Sequence, residues 1–286
     1  MSTVAAGTPC WTDLATPDLD VARRFYPELF GWTGRIAPEP EAAGYTIFRK
    51  DGRAVAGAGP PAAPDQVPVW SMYVATDDAD LVTTRVEAAG GQVLVSPFDV
   101  LDAGRMAVFA DPAGAVFSVW QPMRMPGAEL LDAPGAMCWN ELVSPDPEGA
   151  KAFYELVFGW HPEEQPAGGY AYTGWRCGAR IVAGMRPLPP LGVRGPATPA
   201  DAVAPADPTA PPDPAAGPDP PARPDPVDLP AYWSVYFAVT DVDATAARAT
   251  TLGATILVPP RTTPQGRLTT LRDPTGATFD LLTPPH

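Results

Sequence analysis

The fold is decided by the stretch CWTDLATPDLDVARRFYPELFGW at residues 10–32, which returns as CWNELVSPDPEGAKAFYELVFGW at residues 138–160. The two copies align over 23 residues without a gap. They share the Cys-Trp start, a Pro-Asp turn and a Phe-Gly-Trp end. A repeat of this length predicts that one structural unit occurs twice in the chain.

A second repeat alternates with the first. WSMYVATDDAD (70–80) matches WSVYFAVTDVD (233–243), and DPAGAVFSVW (111–120) matches DPTGATFDLL (273–282). The order along the chain is therefore A, B, A′, B′. This order predicts four related modules that are arranged as two tandem domains.

Each module begins with a strand and a helix. Residues 10–16 alternate between two faces, with Trp11 and Asp13 on one of them, as in a β-strand. A helix then starts at Asp18 or Asp20. Its apolar residues recur at i, i+4 and i+8, as Val21, Phe25 and Leu29. Because proline removes a helical hydrogen bond, Pro27 predicts that this helix loosens by Tyr26.

The later parts of the modules also carry local signals. Asp146 is suited to cap a helix and Pro147 to begin it. Helices are expected over 79–89 and 242–252, and each DPxG motif predicts a turn before a final strand. The predicted fold class is α+β: four βαβββ-type modules form two domains whose curved sheets make cups, with helices outside.

The repeats also set the expected domain boundaries. Domain 1 spans 1–126, with modules at about 8–60 and 68–123, and domain 2 spans 134–286, with modules at about 134–186 and 230–284. An insert at 187–230 interrupts domain 2. It holds 16 prolines and an aspartate every sixth residue from Asp201 to Asp225. This composition predicts an extended, disordered segment, because it has too little apolar surface to offset the entropy of ordering.

Composition limits the possible partners. The formal net charge is −14 and the isoelectric point is near 4.4. Without a basic surface, binding to nucleic acid or to acidic membranes is not expected. The first residues lack the pattern of a signal peptide, and no run of about 18 apolar residues occurs. We therefore expect a cytoplasmic protein that is a monomer or a weak homodimer.

The module order, the first strands and the DPxG-led last strands resemble the vicinal-oxygen-chelate (glyoxalase/bleomycin-resistance/dioxygenase) superfamily. The phrases GTPCWTDL (7–14), DAGRM (102–106) and DPAGAVFSVWQ (111–121) resemble the actinobacterial two-domain glyoxalase-like proteins in particular, which include mycobacterial antigens and proteins labelled hydroxylases. Functions in this superfamily range from isomerase to dioxygenase to antibiotic sequestration. The fold does not choose among them.

The resemblance also implies where a metal would be held. Metal-using members take His, Gln or Glu ligands from the first and last strands of the modules. These positions correspond here to Trp11, Ser71 and Ser118 in domain 1, and to Trp139, Ser234 and Asp280 in domain 2. Of these side chains only Asp280 is a good metal ligand. We therefore expect no metal and no other cofactor.

The inward faces of the strands carry a different set of side chains. Period-two alternation places aromatic rings, hydroxyls and carboxylates there: Trp11, Asp13, Ser71, Tyr73, Ser118 and Trp120 in domain 1, and Trp139, Glu141, Ser234, Tyr236 and Asp280 in domain 2. Such a mixture is typical of a small-molecule pocket. Asp13 and Glu141 are the candidate catalytic residues, because a carboxylate in an aromatic cup has a raised pKa. The alternative is that each acid only pairs with an arginine or a backbone donor.

Two hypotheses about function follow from these observations. The first is a small-molecule-binding protein that encloses a metabolite or an antibiotic and sequesters it without metal. The second is a lyase, isomerase or hydroxylase-type enzyme that uses Glu141 or Asp13 as its base. The second cup has two acids, Glu141 and Asp280, and is the stronger of the two for chemistry.

Overall fold

The computed structural model describes residues 4–165, 171–188 and 230–284. In the first domain, the A module contains β1 (Pro9–Ala15), α1 (Leu19–Phe30), β2 (Thr33–Ile36), a 3-10 turn (Pro40–Ala42), β3 (Thr46–Lys50) and β4 (Arg53–Gly59). The B module contains β5 (Val69–Ala75), α2 (Ala79–Ala88), β6 (Gln92–Val100), β7 (Gly104–Ala110) and β8 (Val116–Pro122).

The second domain repeats this order. Its first module contains β9 (Met137–Ser144), α3 (Pro147–Phe158), β10 (His161–Glu164), β11 (Thr173–Cys177) and β12 (Arg180–Pro187). Its second module contains β13 (Tyr232–Ala238), α4 (Val242–Thr251), β14 (Thr255–Thr263), β15 (Gly266–Arg272) and β16 (Thr278–Thr283). The predicted disordered insert lies, at 189–229, outside the described residues.

Each domain forms its own eight-stranded curved sheet. The strand orders are β2-β3-β4-β1-β5-β8-β7-β6 and β10-β11-β12-β9-β13-β16-β15-β14. The two modules of a domain meet in the middle of the sheet, where β1 pairs antiparallel with β5 and β9 with β13. The predicted α+β class with two cup-forming domains is confirmed. The first strands of both modules, and the last strands next to them, therefore face one cavity.

The helices begin where the sequence indicates. Asp18, Asp78, Asp146 and Asp241 each accept a hydrogen bond from the backbone N–H three residues on, as helix-capping aspartates do. The expectation for α1 was wrong at its end. The helix continues through Pro27 to Phe30. Burial of Tyr26, Leu29 and Phe30 offsets the lost hydrogen bond, and the N–H of Gly31, in the left-handed region, binds the Pro27 carbonyl.

The first helix of each domain packs into the core of the other domain. Tyr26 of α1 donates a hydrogen bond to Asp273 (2.7 Å) and accepts one from the Trp70 indole (2.8 Å). Tyr154 of α3 does the same with Asp111 (3.1 Å) and Trp233 (2.8 Å). The buried apolar residues of both domains form one continuous cluster. The two domains therefore share a core and are related by an approximate twofold axis.

The DPxG turns explain this arrangement. In each turn one carboxylate oxygen of the aspartate accepts backbone N–H groups, from Ala113 and Ala115 at Asp111 and from Thr275 and Ala277 at Asp273. This leaves the other oxygen for the tyrosine of the opposite domain. The predicted turns are confirmed, and they also hold the domains together. Among the described residues, no helix is long and apolar enough to cross a membrane.

Candidate functional site

The first cup contains a cavity of about 470 Å³ on the side of the sheet away from the helices. Drug-sized ligands occupy cavities of this size, about 300–1,000 Å³. Its aromatic and sulfur-containing lining residues are Trp11, Tyr45, Tyr73, Phe98, Met106, Trp120 and Met125, and its acidic ones are Asp13, Glu39, Glu41, Asp99 and Asp102. No lysine or arginine lies among the described residues that line it. The described wall of the cavity is therefore largely apolar, with acidic side chains and no basic ones.

Asp13 is the polar group at the centre of this cup. Its Oδ2 accepts hydrogen bonds from the hydroxyls of Tyr45 (3.1 Å) and Tyr73 (3.0 Å). The Tyr45 hydroxyl in turn accepts one from the Trp11 indole at 3.0 Å. Within the described ranges no hydrogen bond to Oδ1 is found, and Asp13 is partly exposed to the cavity. Oδ1 is therefore available to a bound molecule.

A glycine allows Tyr45 to reach Asp13. Gly57 of β4 pairs with Asp13 across the sheet. A Cβ atom at Gly57 would lie 1.9 Å from the Tyr45 hydroxyl oxygen, so any other residue would push the ring away. The second cup uses the same device, because a Cβ at Gly184 would lie 2.0 Å from the Tyr172 hydroxyl. Because Gly57 has no side chain, the Tyr45 phenol can lie against β4 and reach Asp13.

The surroundings of Asp13 change its acidity. Burial in the aromatic cup raises its pKa from 3.8 to about 6, and the hydrogen bonds from Tyr73 and Tyr45 limit this rise. Burial and the neighbouring Asp13 also raise the pKa values of Tyr45 and Tyr73 well above 10, so both stay protonated donors. Asp13 is therefore a carboxylate that exchanges its proton near neutral pH.

We expect Asp13→Asn to change how stability depends on pH. The folded state holds this proton more tightly than the unfolded state, so Asp13 stabilises the fold below about pH 4, and this contribution disappears as pH rises through about 6. The free energy of unfolding of the wild type should therefore fall relative to the variant over this interval, by at most about 3 kcal/mol. Urea denaturation at several pH values measures this. The exposed Asp65→Asn is the control, and a difference that does not vary with pH contradicts the assignment.

The second cup contains a smaller cavity of about 270 Å³. Trp139 donates to the Tyr172 hydroxyl at 2.9 Å, as Trp11 does to Tyr45. Glu141 stands where Asp13 does in the first cup, but its Oε1 accepts from both Tyr236 (3.1 Å) and the Arg186 guanidinium (2.8 Å). The charge of Glu141 is thus neutralised by an ion pair with Arg186.

Asp280 lies buried beside this ion pair. Its side chain is bonded to Thr270 and Ser234, while Oδ2 has no hydrogen-bond partner within the described part of the chain. Burial, opposed by the hydrogen bonds from Thr270 and Ser234 and assisted by the negative charge of Glu141, raises the pKa of Asp280 to about 6. Glu141 and Asp280 therefore lie close enough to interact, as the sequence pattern suggested.

The structure divides the predicted site residues into two groups. One group lines the cavities: Trp11, Asp13, Tyr73 and Trp120 in the first cup, and Trp139, Glu141 and Tyr236 in the second. The other supports them from the same strands. Ser118 is bonded to Tyr73, Ser71 pairs with Asp13 across β1 and β5, and Ser234 pairs with Glu141 and is bonded to Asp280.

Sequence reasoning missed several residues of the cups, among them Tyr45, Tyr172 and Arg186. The two tyrosines had a signal in the repeat, because YTIFR (45–49) aligns with YTGWR (172–176). The repeat carries no signal for Arg186, because its counterpart in the first domain is Gly59, which has no side chain. The equivalence follows from the register, in which Gly57 pairs with Asp13 and Gly184 with Glu141.

Many proteins of this fold use a metal ion, and the side chains that could act as its ligands in the two cups are carboxylates. Asp13 and its tyrosines offer one carboxylate, and the second cup offers Glu141, which is ion-paired, and Asp280, which is buried. Throughout the described ranges, no group of three or more His, Cys, Asp or Glu side chains is placed to hold a metal ion.

Relatives of known name match nearly the whole chain. The anthracycline biosynthesis protein DnrV of Streptomyces peucetius is 38% identical over 296 residues, covering 99% of this chain and 95% of its own. The putative glyoxylase CFP32 of Mycobacterium bovis is also 38% identical, over 97% of this chain and 95% of its own.

Solved structures share the fold at low identity. The Mn(II)-bound glyoxalase from Novosphingobium aromaticivorans has a TM-score of 0.61 at 16% identity and covers 99% of this chain and 83% of its own. The 2,3-dioxygenase LapB from Pseudomonas sp. KL28 has a TM-score of 0.62 at 11% identity, over 100% and 94%. The family model of the Glyoxalase/Bleomycin resistance protein/Dioxygenase superfamily matches residues 9–119 and 136–281. The chain belongs to this superfamily.

Proposed function

We propose that the first cup binds a flat, hydroxylated aromatic molecule without a metal, and that the protein serves to hold or sequester it. One observation carries this proposal. The cavity of about 470 Å³ has a largely apolar wall rich in aromatic rings, and Asp13, the acid bonded to two of these rings, has an Oδ1 that accepts no hydrogen bond from a described residue. Aromatic rings bind well between such walls, and a charged acceptor orients a phenolic hydroxyl.

The relatives suggest the chemical class of this molecule. DnrV is named for anthracycline biosynthesis, and anthracyclines contain fused aromatic rings with phenolic hydroxyls next to quinone carbonyls. A molecule of this kind presents two flat faces to the rings of the wall and an edge of hydroxyls to Asp13. The class we propose is therefore a hydroxylated polycyclic quinone.

The absence of a suitable donor set supports a metal-free cup. The positions that bind metal in other members of the superfamily hold Trp11, Ser71 and Ser118 here, and none of these side chains is a good ligand for a divalent ion. Asp13 has no second acid grouped with it as a ligand set, because no cluster of three or more His, Cys, Asp or Glu side chains able to hold a metal ion occurs among the described residues. The residues of the first cup therefore do not fit a metal, and the proposed binding needs none.

Titration with 1,4-dihydroxyanthraquinone tests the proposal. We expect one molecule to bind per chain, equally well before and after treatment with a chelator. Asp13→Asn should weaken binding about tenfold at pH 7.5, because a hydrogen bond to a charged group contributes about 1.5 kcal/mol. Protonation of Asp13 below pH 6 should weaken wild-type binding in the same way and leave the variant unchanged.

Glu141→Gln is the matched control in the second cup. It should leave the affinity for the quinone unchanged. The proposal is wrong if the quinone does not bind, if chelation abolishes binding, or if Glu141→Gln and not Asp13→Asn weakens it.

A second candidate is an isomerase in which Asp13 is the base. The pKa of about 6 favours it, since such a carboxylate can take a proton from a carbon next to a carbonyl and return it to the neighbouring carbon. Glu141 is less suited because Arg186 holds it in an ion pair. The hemithioacetal of methylglyoxal and glutathione is the probe. Turnover that Asp13→Asn abolishes supports this candidate, and turnover that survives Asp13→Asn and Glu141→Gln together excludes both Asp13 and Glu141 as the base.

A further inference from the structure

The two cups differ at structurally equivalent positions. Gly59 of the first cup corresponds to Arg186 of the second, as the strand register shows. A second difference lies where the β6–β7 hairpin lines the first cavity and the β14–β15 hairpin lines the second. Phe98 pairs with Met106 in β6–β7, and Arg261 pairs with Leu268 at the equivalent place in β14–β15. The second cup therefore contains two arginines where the first has a glycine and a phenylalanine.

The two arginines are in different electrostatic states. Arg186 is only partly exposed and is neutralised by Glu141 at 2.8 Å. Arg261 is exposed and lines the cavity, and in the described portion of the chain no carboxylate lies within ion-pair distance of it. A guanidinium that no described carboxylate neutralises in an ion pair thus lies at the wall of a cavity.

The rest of this wall consists of apolar and aromatic side chains, together with Gln265 and the Glu141–Arg186 ion pair. Trp139, Tyr236, Leu268 and Leu282 line the space beside Arg261. The cavity, at about 270 Å³, has room for a single ring and little more. A guanidinium presents parallel N–H donors that match the two oxygens of a carboxylate. The site thus combines a cation for an anionic group with an apolar floor for a small ring.

We propose that the second cup is a separate binding site for a small aromatic carboxylate, whose anionic group is held by Arg261. The two cups of one chain then bind molecules of different charge: a neutral polycycle in the first and a monoanion in the second. The proposal does not depend on what the first cup binds. The Glu141–Arg186 pair, which also lines this cavity, stays intact in it.

Calorimetric titration with benzoate, and with the neutral benzamide as its isostere, tests this site in the full chain. We expect benzoate to bind at least about tenfold more tightly than benzamide. Arg261→Gln should remove this preference. Arg261→Lys should keep part of it, because lysine retains the positive charge but lacks the paired N–H donors of the guanidinium. Arg272→Gln, which removes an exposed arginine of the same domain, should leave binding unchanged.

Asp13→Asn separates the two proposals. It should not affect benzoate, just as Arg261→Gln should not affect the quinone. The inference is overturned if benzoate shows no saturable binding, if benzamide binds equally well, or if Arg261→Gln leaves the affinity for benzoate unchanged.

Discussion

Tyr154→Ala should destabilise both domains together, by about 4 kcal/mol or more. The ring is fully buried and packs against Phe117 of the first domain and Trp160, Trp175 and Trp233 of the second. Removing a large buried ring costs about 3–5 kcal/mol. The substitution also leaves the Trp233 indole and one oxygen of Asp111 without a partner in the core, which adds to this cost.

Hydrogen exchange at the amides of β5 and β8, measured at increasing urea concentration, reports this effect. Tyr154 belongs to the second domain, but the shared core predicts that the first domain opens in the same transition. Leu156→Ala on the same helix is the control, because that side chain is 65% exposed and should cost less than about 0.5 kcal/mol. Undiminished protection in the first domain of Tyr154→Ala would show that the domains fold independently.

Gly57→Ala should abolish binding in the first cup, with a loss of about 100-fold or more in affinity for 1,4-dihydroxyanthraquinone. The new Cβ would lie 1.9 Å from the Tyr45 hydroxyl oxygen, so the ring has to leave its place. Asp13 then loses one of its two donors, and the cavity wall loses the Tyr45 ring from its place. A 100-fold loss corresponds to about 2.7 kcal/mol.

Gly184→Ala is a matched control for this prediction. It creates the same clash, 2.0 Å from the Tyr172 hydroxyl, but in the second cup. It should leave quinone binding intact and weaken benzoate binding. Equal quinone affinity in the wild type and in a folded Gly57→Ala protein would show that the molecule does not bind between Tyr45 and Asp13.

The sequence predicts most of the fold because the signals that define it are local. The capping aspartates, the DPxG turns and the alternation of β1 each depend on a few neighbouring residues, and the internal repeat doubles each signal. The packing of α1 and α3 across the domains could not be predicted in this way. An apolar stripe such as Val21, Phe25 and Leu29 shows that a helix has a buried face, but not which sheet covers it.

The site was predictable only in part, for a related reason. Period-two alternation selects Trp11, Asp13 and Tyr73, because one strand fixes the direction of its own side chains. Glu141 shows the limit of this approach. Its partner Arg186 comes from β12, 45 residues later, and only the register of β9 with β12 brings the two together. Whether Glu141 has a catalytic role therefore stays a prediction, and the geometry makes Asp13 the stronger candidate.

A crystal structure of the protein with 1,4-dihydroxyanthraquinone tests the central claim most directly. The account predicts one quinone per chain in the first cup, with its rings between Trp11, Tyr73 and Trp120 and a hydroxyl within hydrogen-bond distance of Asp13 Oδ1. Density for the quinone in the second cup alone, or in the first cup with a metal ion between it and Asp13, would contradict the account.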